Sequence, residues 1–552
     1  MSKELNTEHV TLSTVHLSPE LTFLIACCQA EPTQEDIDLI RSYLSQITNA
    51  QSGNTHGVQP STIHSSSLTP GSSLAAKAAL APSRRPREGG DPQSQSDNSH
   101  SSRHPRARPG DPQSQSDKHQ NLITLAHRHG ILPLVYKTLK RLSEEGLLRD
   151  PSDVTRKATP PSSSTRTPVI PDSIRNPQSQ SDNTHSSRHP RARPGDPQSQ
   201  SDNTHSFRHP RARPGDPQSQ SDNSHHELRI ATHDLLLSAL KQQYTAIARR
   251  NMLMSAELLR IMKLLESNGI EALAFKGPAL AQMAYGDITM RQFGDLDVLV
   301  KKEDIYKIDH LLQSQGYDRL LALTPVQEKI WIRYAHDLGL IHRERGTHFE
   351  MHWSFLDEDY PMQLDLDAYR DNRQKVTING REVPTFSTEN LLVYLAIHGS
   401  KHLWERIEWI KDIDLLIRNH EIDWEKVRVI SGDTGFERMI HLGLLLSSEL
   451  FGSPLPSKMH QLIRRTPQID TVSRFVLESW KAPKSTFAKT AAMLRLFPDL
   501  KARLLYLHKI ILKPSFNEYW FIDLPKGMYW AYYLVRPYLL LKKYLSKEDQ
   551  RS

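Results

Sequence analysis

The sequence predicts an α+β protein: a small mixed-sheet core between an N-terminal and a C-terminal helical region, with two disordered repeat insertions. Three observations predict it. Between 270 and about 353, apolar runs of strand type alternate with runs of helical spacing. On either side of that stretch only helical spacing is found. Two long stretches repeat a polar, proline-rich unit that offers no core.

In chain order, residues 1–49 and 118–146 read as two parts of one N-terminal helical region, with helices over 17–48 and 118–145. Between and after them lie the insertions, 50–117 and 147–225. They carry five copies of Pro-Gln-Ser-Gln-Ser-Asp, starting at Pro92, Pro112, Pro177, Pro197 and Pro217, spaced by 20 residues within each stretch. A period of 20 can mark a solenoid, but this unit has almost no Leu, Ile, Val or aromatic residue to stack between turns. It cannot offset its ordering entropy, so disorder is expected, and long loops add little closure cost. The 37% apolar content of the 552-residue chain is low for the same reason.

Charge follows the same division. The first insertion holds 7 basic and 5 acidic residues and the second 11 and 8, which is +5 of the net +7 and leaves the remainder near neutral. A main role in nucleic-acid binding is therefore not expected, because phosphate contacts need a basic stripe on the folded body.

Residues 226–268 form a helix leading into the core. Leu258, Ile261, Met262 and Leu265 follow the spacing of one buried face, and Asn268-Gly269 stops it. The core, 269–387, opens with a strand over 270–276 and a helix over 278–285. A strand over 295–300 and a helix over 303–315 ending at Gly316 follow. Two further strands, 338–343 and 347–353, join around Arg345-Gly346. In the last strand Phe349, Met351 and Trp353 point to a core, and His348, Glu350 and His352 to the other face. The C-terminal region, 388–552, reads as helices.

The chemistry concentrates in the core. In Phe293-Gly294-Asp295-Leu296-Asp297-Val298 the strand period puts Asp295 and Asp297 on one face. Adjacent acids repel unless something positive lies between them, and oxygen ligands suit a hard cation such as Mg²⁺ (or Mn²⁺). Glu350 from a neighbouring strand completes a three-acid clamp for attack at phosphorus. An Asp-x-Asp also occurs as two solvated acids on a strand. The preceding Phe275-Lys276-Gly277-Pro278 adds weight, since a strand, a glycine turn and a helix opening with proline present free N–H groups to a phosphate. Lys276 and Arg291 add positive charge; the competing role for Lys276 is to neutralise one of the acids.

Phe275-Lys276-Gly277, Tyr285-Gly286-Asp287, Arg291-Gln292-Phe293-Gly294-Asp295-Leu296-Asp297 and Glu350-Met351-His352-Trp353 together resemble an uncharacterised bacterial nucleotidyltransferase family of the DNA polymerase beta-like nucleotidyltransferase superfamily. The likeness extends to Leu125–Ile131, to His398-Gly399-Ser400-Lys401-His402-Leu403-Trp404 and to Lys411-Asp412-Ile413-Asp414. The resemblance implies that Asp295, Asp297 and Glu350 bind metal and are catalytic, and that the Gly277 turn holds the triphosphate with Lys276 and Arg291. It also implies that His398, Lys401 and Asp412 face the site from the helical domain. Those three also suit a hydrogen-bond set fixing helix to helix. The wider superfamily has Gly-Ser or Gly-Gly where this chain has Lys276-Gly277-Pro278. Either Lys276 substitutes for the missing hydroxyl, or the nucleotide sits differently.

A general base is expected among His348, His352 and His398. His398 and His402 lie four apart and have zinc-ligand spacing, yet no third ligand accompanies them. The expected activity is Mg²⁺-dependent transfer of NMP from an NTP such as ATP to an unidentified hydroxyl acceptor, with release of pyrophosphate. The alternatives are a nucleotide-binding scaffold of the same fold, or a defence or toxin–antitoxin nucleotidyltransferase acting on protein or tRNA. Adjacent Cys27 and Cys28 offer no structural disulfide, no N-terminal apolar run suggests a signal peptide, and no apolar run reaches membrane-spanning length, so a cytoplasmic protein is expected. The longest candidate, Met528–Leu541, is broken by Arg536-Pro537. Its Tyr and Trp content permits an interfacial role, but docking on the core is the expectation.

Overall fold

The computed structural model describes residues 17–49, 115–148 and 217–548, apart from 515–517, 519–520 and 523. The expected disorder of the repeats falls, for 50–114 and 149–216, outside these residues. At their edges the sequence-based boundaries move. Helix α3 already begins at Gln115, and the last repeat copy, starting at Pro217, belongs to a helix rather than to the insertion. Proline suits the first helical turn, and a helix extended from a formed one needs no new nucleus.

Four helices come first: α1 (Pro19–Ala26), α2 (Gln34–Asn49), α3 (Gln115–Arg128) and α4 (Leu132–Glu144). Ser18 caps α1 by accepting from the Leu21 N–H, with Pro19 at the first position. The long α5 (Pro217–Ser267) follows, and its Leu258, Ile261, Met262 and Leu265 are buried as their spacing predicts.

The five-stranded sheet has the order β1 (Ala272–Ala274), β2 (Asp295–Val300), β5 (His348–His352), β4 (Asp337–His342) and β3 (Tyr317–Arg319). Only the β2–β5 pair is parallel; the others are antiparallel. Between β1 and β2 lie the short α6 (Gly277–Leu280) and one wide turn of helix, Ala281–Tyr285. Helix α7 (Ile305–Ser314) links β2 to β3, and α8 (Pro325–Tyr334) links β3 to β4. Leu296 and Val298 of β2 and Phe349 and Met351 of β5 enter the core, leaving the acids on the opposite face.

Two features were not read from the sequence. Strand β3 and helix α8 fill the connection between Gly316 and β4. After the short α9 (Leu366–Asp371), β6 (Arg373–Ile378) and β7 (Arg381–Phe386) form a separate hairpin. Its turn is Asn379-Gly380, with φ of 48° and 76°, the two left-handed residues that a two-residue hairpin loop demands.

The remaining helices are α10 (Thr388–Lys401), α11 (Ile407–Asn419), α12 (Trp424–Thr434), α13 (Glu437–Phe451), α14 (Ser457–Arg464), α15 (Gln468–Lys481), α16 (Thr486–Leu496), α17 (Leu500–Ile511) and α18 (Tyr532–Glu548). Trp404, between α10 and α11, is fully buried, and its carbonyl accepts from Trp480 Nε1 at 2.7 Å. Gly399 and Gly443 make room for its ring: a Cβ on Gly443 would lie 2.9 Å from the indole, and one on Gly399 closer still. The expected docking of 528–541 holds for one side of the helix only. Trp530, Leu534, Tyr538 and Leu541 are exposed, because α18 packs by its other side, where Arg536 Nη2 donates to the Ile510 carbonyl at 2.9 Å.

Candidate active site

Parallel pairing of β2 with β5 sets the register that builds the site: Asp295 lies beside His348 and Asp297 beside Glu350. Strand alternation then gathers Asp295, Asp297, His348, Glu350 and His352 on one face. Ligand atoms of Asp297, Glu350 and His352 lie within 4.8 Å of one another, and they form the one such metal-capable group among the described residues. The sequence-based set was Asp295, Asp297 and Glu350. The structure brings the last two together with His352, while Asp295 sits one pleat further along the strand.

Two cations already answer the acids. Lys276 Nζ donates to Asp297 Oδ1 at 3.3 Å, and His352 Nε2 lies 3.2 Å from the same oxygen and 3.5 Å from Glu350 Oε2. Burial alone would raise the Asp297 carboxyl, but Lys276 and His352 outweigh it and bring it down to about 2. Burial and the neighbouring Asp297 and Glu350 charges push Asp295 up to about 7, as expected where three acids share one face without enough positive charge. Burial opposes the charged imidazole of His352, yet its bonds to Asp297 and Glu350 raise it to about 9. His348 is lowered by burial and by Arg250, and His398 well lowered by burial and by Lys276. At neutral pH His352 is therefore charged, whereas His348 and His398 are neutral imidazoles able to accept a proton.

The turn before the acids is tightly built. Gly277 has φ of 52°, and a Cβ there would lie 3.0 Å from the Asp295 carbonyl oxygen. Glycine thus serves both the left-handed backbone and the close approach of α6 to the start of β2. Lys276 lies over the rings of Phe275 and Tyr394, in an aromatic group that also includes Phe386 and His352.

Arg291 is held away from the acids by another partner. Its Nε and Nη2 donate to Asp412 Oδ1 and Oδ2, both at 2.9 Å, and Tyr285 Oη donates to the same Oδ1 at 2.9 Å. The pair is buried. The fork expected to hold a triphosphate is bound to α11, and Asp412, expected to face the nucleotide, is the group it binds. Neighbouring contacts serve the same loop. Asn251 Nδ2 donates to the carbonyls of Ile288 and Arg291, both at 2.7 Å, and Arg250 Nη2 to that of Gly294 at 3.1 Å. The Glu408 carboxylate accepts from the Gln292 N–H at 2.7 Å. Helices α5 and α11 thus clamp residues 288–294, which aim Asp295 and Asp297.

Lys401, partly covered, lies near Asp357 and Lys276; desolvation and the Lys276 charge bring it down to about 8 despite Asp357. The His398 and His402 rings lie 4.8 Å apart against Trp409. Beyond them the sequence left unread His336, whose Nδ1 is 2.7 Å from Asp357 Oδ1 and whose ring is 6.1 Å from that of His352. Arg250, Asn251 and His336 lie in no motif; only their position against the acid-bearing strands reveals them.

The donor set fits a divalent cation. Asp297 Oδ2 is buried and has no hydrogen-bond partner, an open acceptor on the face that carries Glu350. A buried carboxylate oxygen without a donor costs free energy that a cation would recover.

No curated protein matches the chain. Three solved structures show distant likeness. The antibiotic-resistance factor ANT(2'')-Ia is 12% identical, with 33% of this chain and 91% of that one covered and a TM-score of 0.25. The lincosamide antibiotic adenylyltransferase LnuA, lincomycin-bound, is 19% identical, with 29% and 94% covered and a TM-score of 0.21. An antigenic nucleotidyltransferase-like protein from Paracoccidioides brasiliensis is 18% identical, with 38% and 94% covered and a TM-score of 0.24. At these scores the likenesses carry no argument about a substrate. The family model described as uncharacterised nucleotidyltransferase matches residues 224–452, which contain α5 from residue 224 onward, every strand described and the helices through α13. Residues 224–452 are thus similar to a family of uncharacterised nucleotidyltransferases.

Proposed function

We propose that the protein transfers NMP from an NTP to a hydroxyl acceptor, releasing pyrophosphate, with Mg²⁺ or Mn²⁺ held by Asp297 and Glu350 and, once it has shed its proton or turned aside, bordered by His352. The observation that carries this reading is the pairing of Asp297 with Glu350 across parallel strands, with Asp297 Oδ2 buried and unpartnered. Asp295, next along the same face, completes the acidic set. When bound, the cation supplies charge neutralisation at the phosphates and at the attacking oxygen.

The chain's own groups do the rest. The acceptor oxygen forms a bond to the α-phosphorus while the bond to pyrophosphate breaks, and the hydroxyl proton passes to a neutral imidazole. His348, beside Asp295, and His398, facing Lys276, are the imidazoles in that state. Lys276 carries charge at the Gly277 turn and offsets Asp297 until nucleotide arrives; Gly277 lets the chain bend close to β2. Lys401 adds a second ammonium beside Lys276. Arg291 and Asp412 act by holding the loop that aims the acids.

Purified protein given each NTP with Mg²⁺ or Mn²⁺ and a cell extract should release pyrophosphate, and Asp297→Asn should abolish release while the protein stays folded. Nucleotide binding with no release under any of these conditions would replace this reading with that of a scaffold.

A further inference from the structure

The C-terminal helices, beyond the family match, present a surface that the nucleotidyl site does not use. Helix α17 is held to the body by one side only. Lys509 Nζ donates to Asp357 at 2.7 Å and Asp359 at 2.5 Å, Lys513 pairs with Asp359 at 2.6 Å, and the Tyr506 ring meets Phe497 at 4.8 Å. The side carrying Leu500, Leu504 and Ile511 is left to solvent, Leu500 being 67% exposed. Helix α18 repeats the pattern. Leu534, Tyr538 and Leu541 follow the i, i+4, i+7 spacing of one helix face, and Leu534 and Tyr538 are 65% and 57% exposed. Trp530, just before it, is 64% exposed. Tyr532 is the inward anchor: buried, it donates to the Ile522 carbonyl at 2.7 Å and accepts from the Leu524 N–H at 3.0 Å. The two helices are joined through Arg536, so their apolar faces belong to one substructure.

Charge identifies what covers it. Residues 500–548 contain 9 Lys or Arg against 3 Asp or Glu; of these, Lys509 and Lys513 pair inward with Asp357 and Asp359, and Arg536 with Glu518. Lys501 and Lys542 are exposed among the apolar residues. Exposed Leu, Trp and Tyr beside Lys501 and Lys542 match the chemistry of an anionic lipid surface, where aromatic rings sit at headgroup level and ammonium groups meet phosphates. The repeat stretches are poor complements, being Arg-rich and nearly without apolar side chains. Among the described residues no helix is long and apolar enough to cross a membrane, so this surface would rest on a bilayer rather than enter it.

We propose that α17 and α18, with the Trp530 segment, form a peripheral docking surface for anionic lipid membranes. The proposal does not depend on the activity above. Cosedimentation of the full chain with vesicles of phosphatidylcholine, with and without phosphatidylglycerol, tests it. Partition onto the phosphatidylglycerol vesicles is expected, weakening with salt, with little onto phosphatidylcholine alone. At about 1 kcal/mol per basic residue near the surface, Lys501→Gln with Lys542→Gln should weaken partition roughly thirtyfold. Trp530→Ser with Leu534→Ser, both at exposed positions, should abolish it without lowering the melting temperature. No partition onto phosphatidylglycerol vesicles overturns the proposal. So does a concentration-dependent dimer in sedimentation velocity that the Trp530→Ser/Leu534→Ser variant loses, which would give the face to a second copy of the chain.

Discussion

Lys276→Met separates the two roles open to this lysine, because methionine keeps most of the stem and removes the charge. In the structure the ammonium, largely but not wholly covered, lies 3.3 Å from Asp297 Oδ1, the arrangement of a counter-ion. Lys276 and His352 together bring Asp297 from the ordinary 3.8 to about 2. At about 1.4 kcal/mol per pH unit that is on the order of 2 kcal/mol, with Lys276 the larger contributor. The variant should therefore lose about 1–2 kcal/mol in metal-free buffer. At about 2–4 °C per kcal/mol this lowers the melting temperature by roughly 2–8 °C. The sign follows from linkage. A carboxyl held low stabilises the fold above its unfolded value, so the loss should be full at pH 6 and shrink as pH falls through 4 towards 2. Adding Mn²⁺ should restore stability in the variant more than in the parent, since a cation replaces the missing charge. Scanning fluorimetry with and without Mn²⁺ measures both. An unchanged metal-free melting temperature, with NTP affinity lowered tenfold or more, would refute the counter-ion role and return Lys276 to the triphosphate.

Other sites give sharp expectations. Gly277→Ala forces a side chain onto a φ of 52° and against the Asp295 carbonyl, so it should cost about 1–3 kcal/mol and shift the start of β2, read by urea denaturation. Asp412→Asn leaves the buried Arg291 guanidinium without its counter-charge and should cost about 3–5 kcal/mol; Arg291→Gln added to it should recover part, and failure to recover would show that the pair is not the coupled unit. His352, raised to about 9, contributes stability that is full below pH 6.5 and lost as pH rises through 9; in metal-free protein His352→Gln should flatten the stability profile over that window, and a persisting slope would assign it to another group.

What the sequence made legible was what local periodicity controls. Asp295, Asp297 and Glu350 could be placed on one face because strand alternation needs only neighbouring residues, and the helix face of Leu258, Ile261, Met262 and Leu265 followed for the same reason. The β6–β7 hairpin had a local signal in Asn379-Gly380, and α8 had one in Thr324-Pro325 with Gln327, a capping box in the structure. Both went unread amid polar flanks. The Arg291–Asp412 pair has no such signal: its members are 121 residues apart, and only the packing of α11 against the 288–294 loop joins them. Arginine beside an acidic strand was read as a phosphate ligand, when burial gave it a carboxylate. His352 was one imidazole of three until its distances to Asp297 and Glu350 set its charge. The C-terminal helices misled in the opposite direction, since apolar spacing shows that a helix has a face to bury but not which surface covers it.

The most direct test of the account follows the label. Full-length protein is incubated with Mg²⁺ or Mn²⁺ and a cell extract, in parallel with NTP labelled at the α-phosphate and NTP labelled at the γ-phosphate. The account predicts acceptor-bound label from the α-phosphate alone, and none with Asp297→Asn or Glu350→Gln. Label arriving from the γ-phosphate, or α-label that survives both substitutions, would contradict nucleotidyl transfer at the Asp297–Glu350 site.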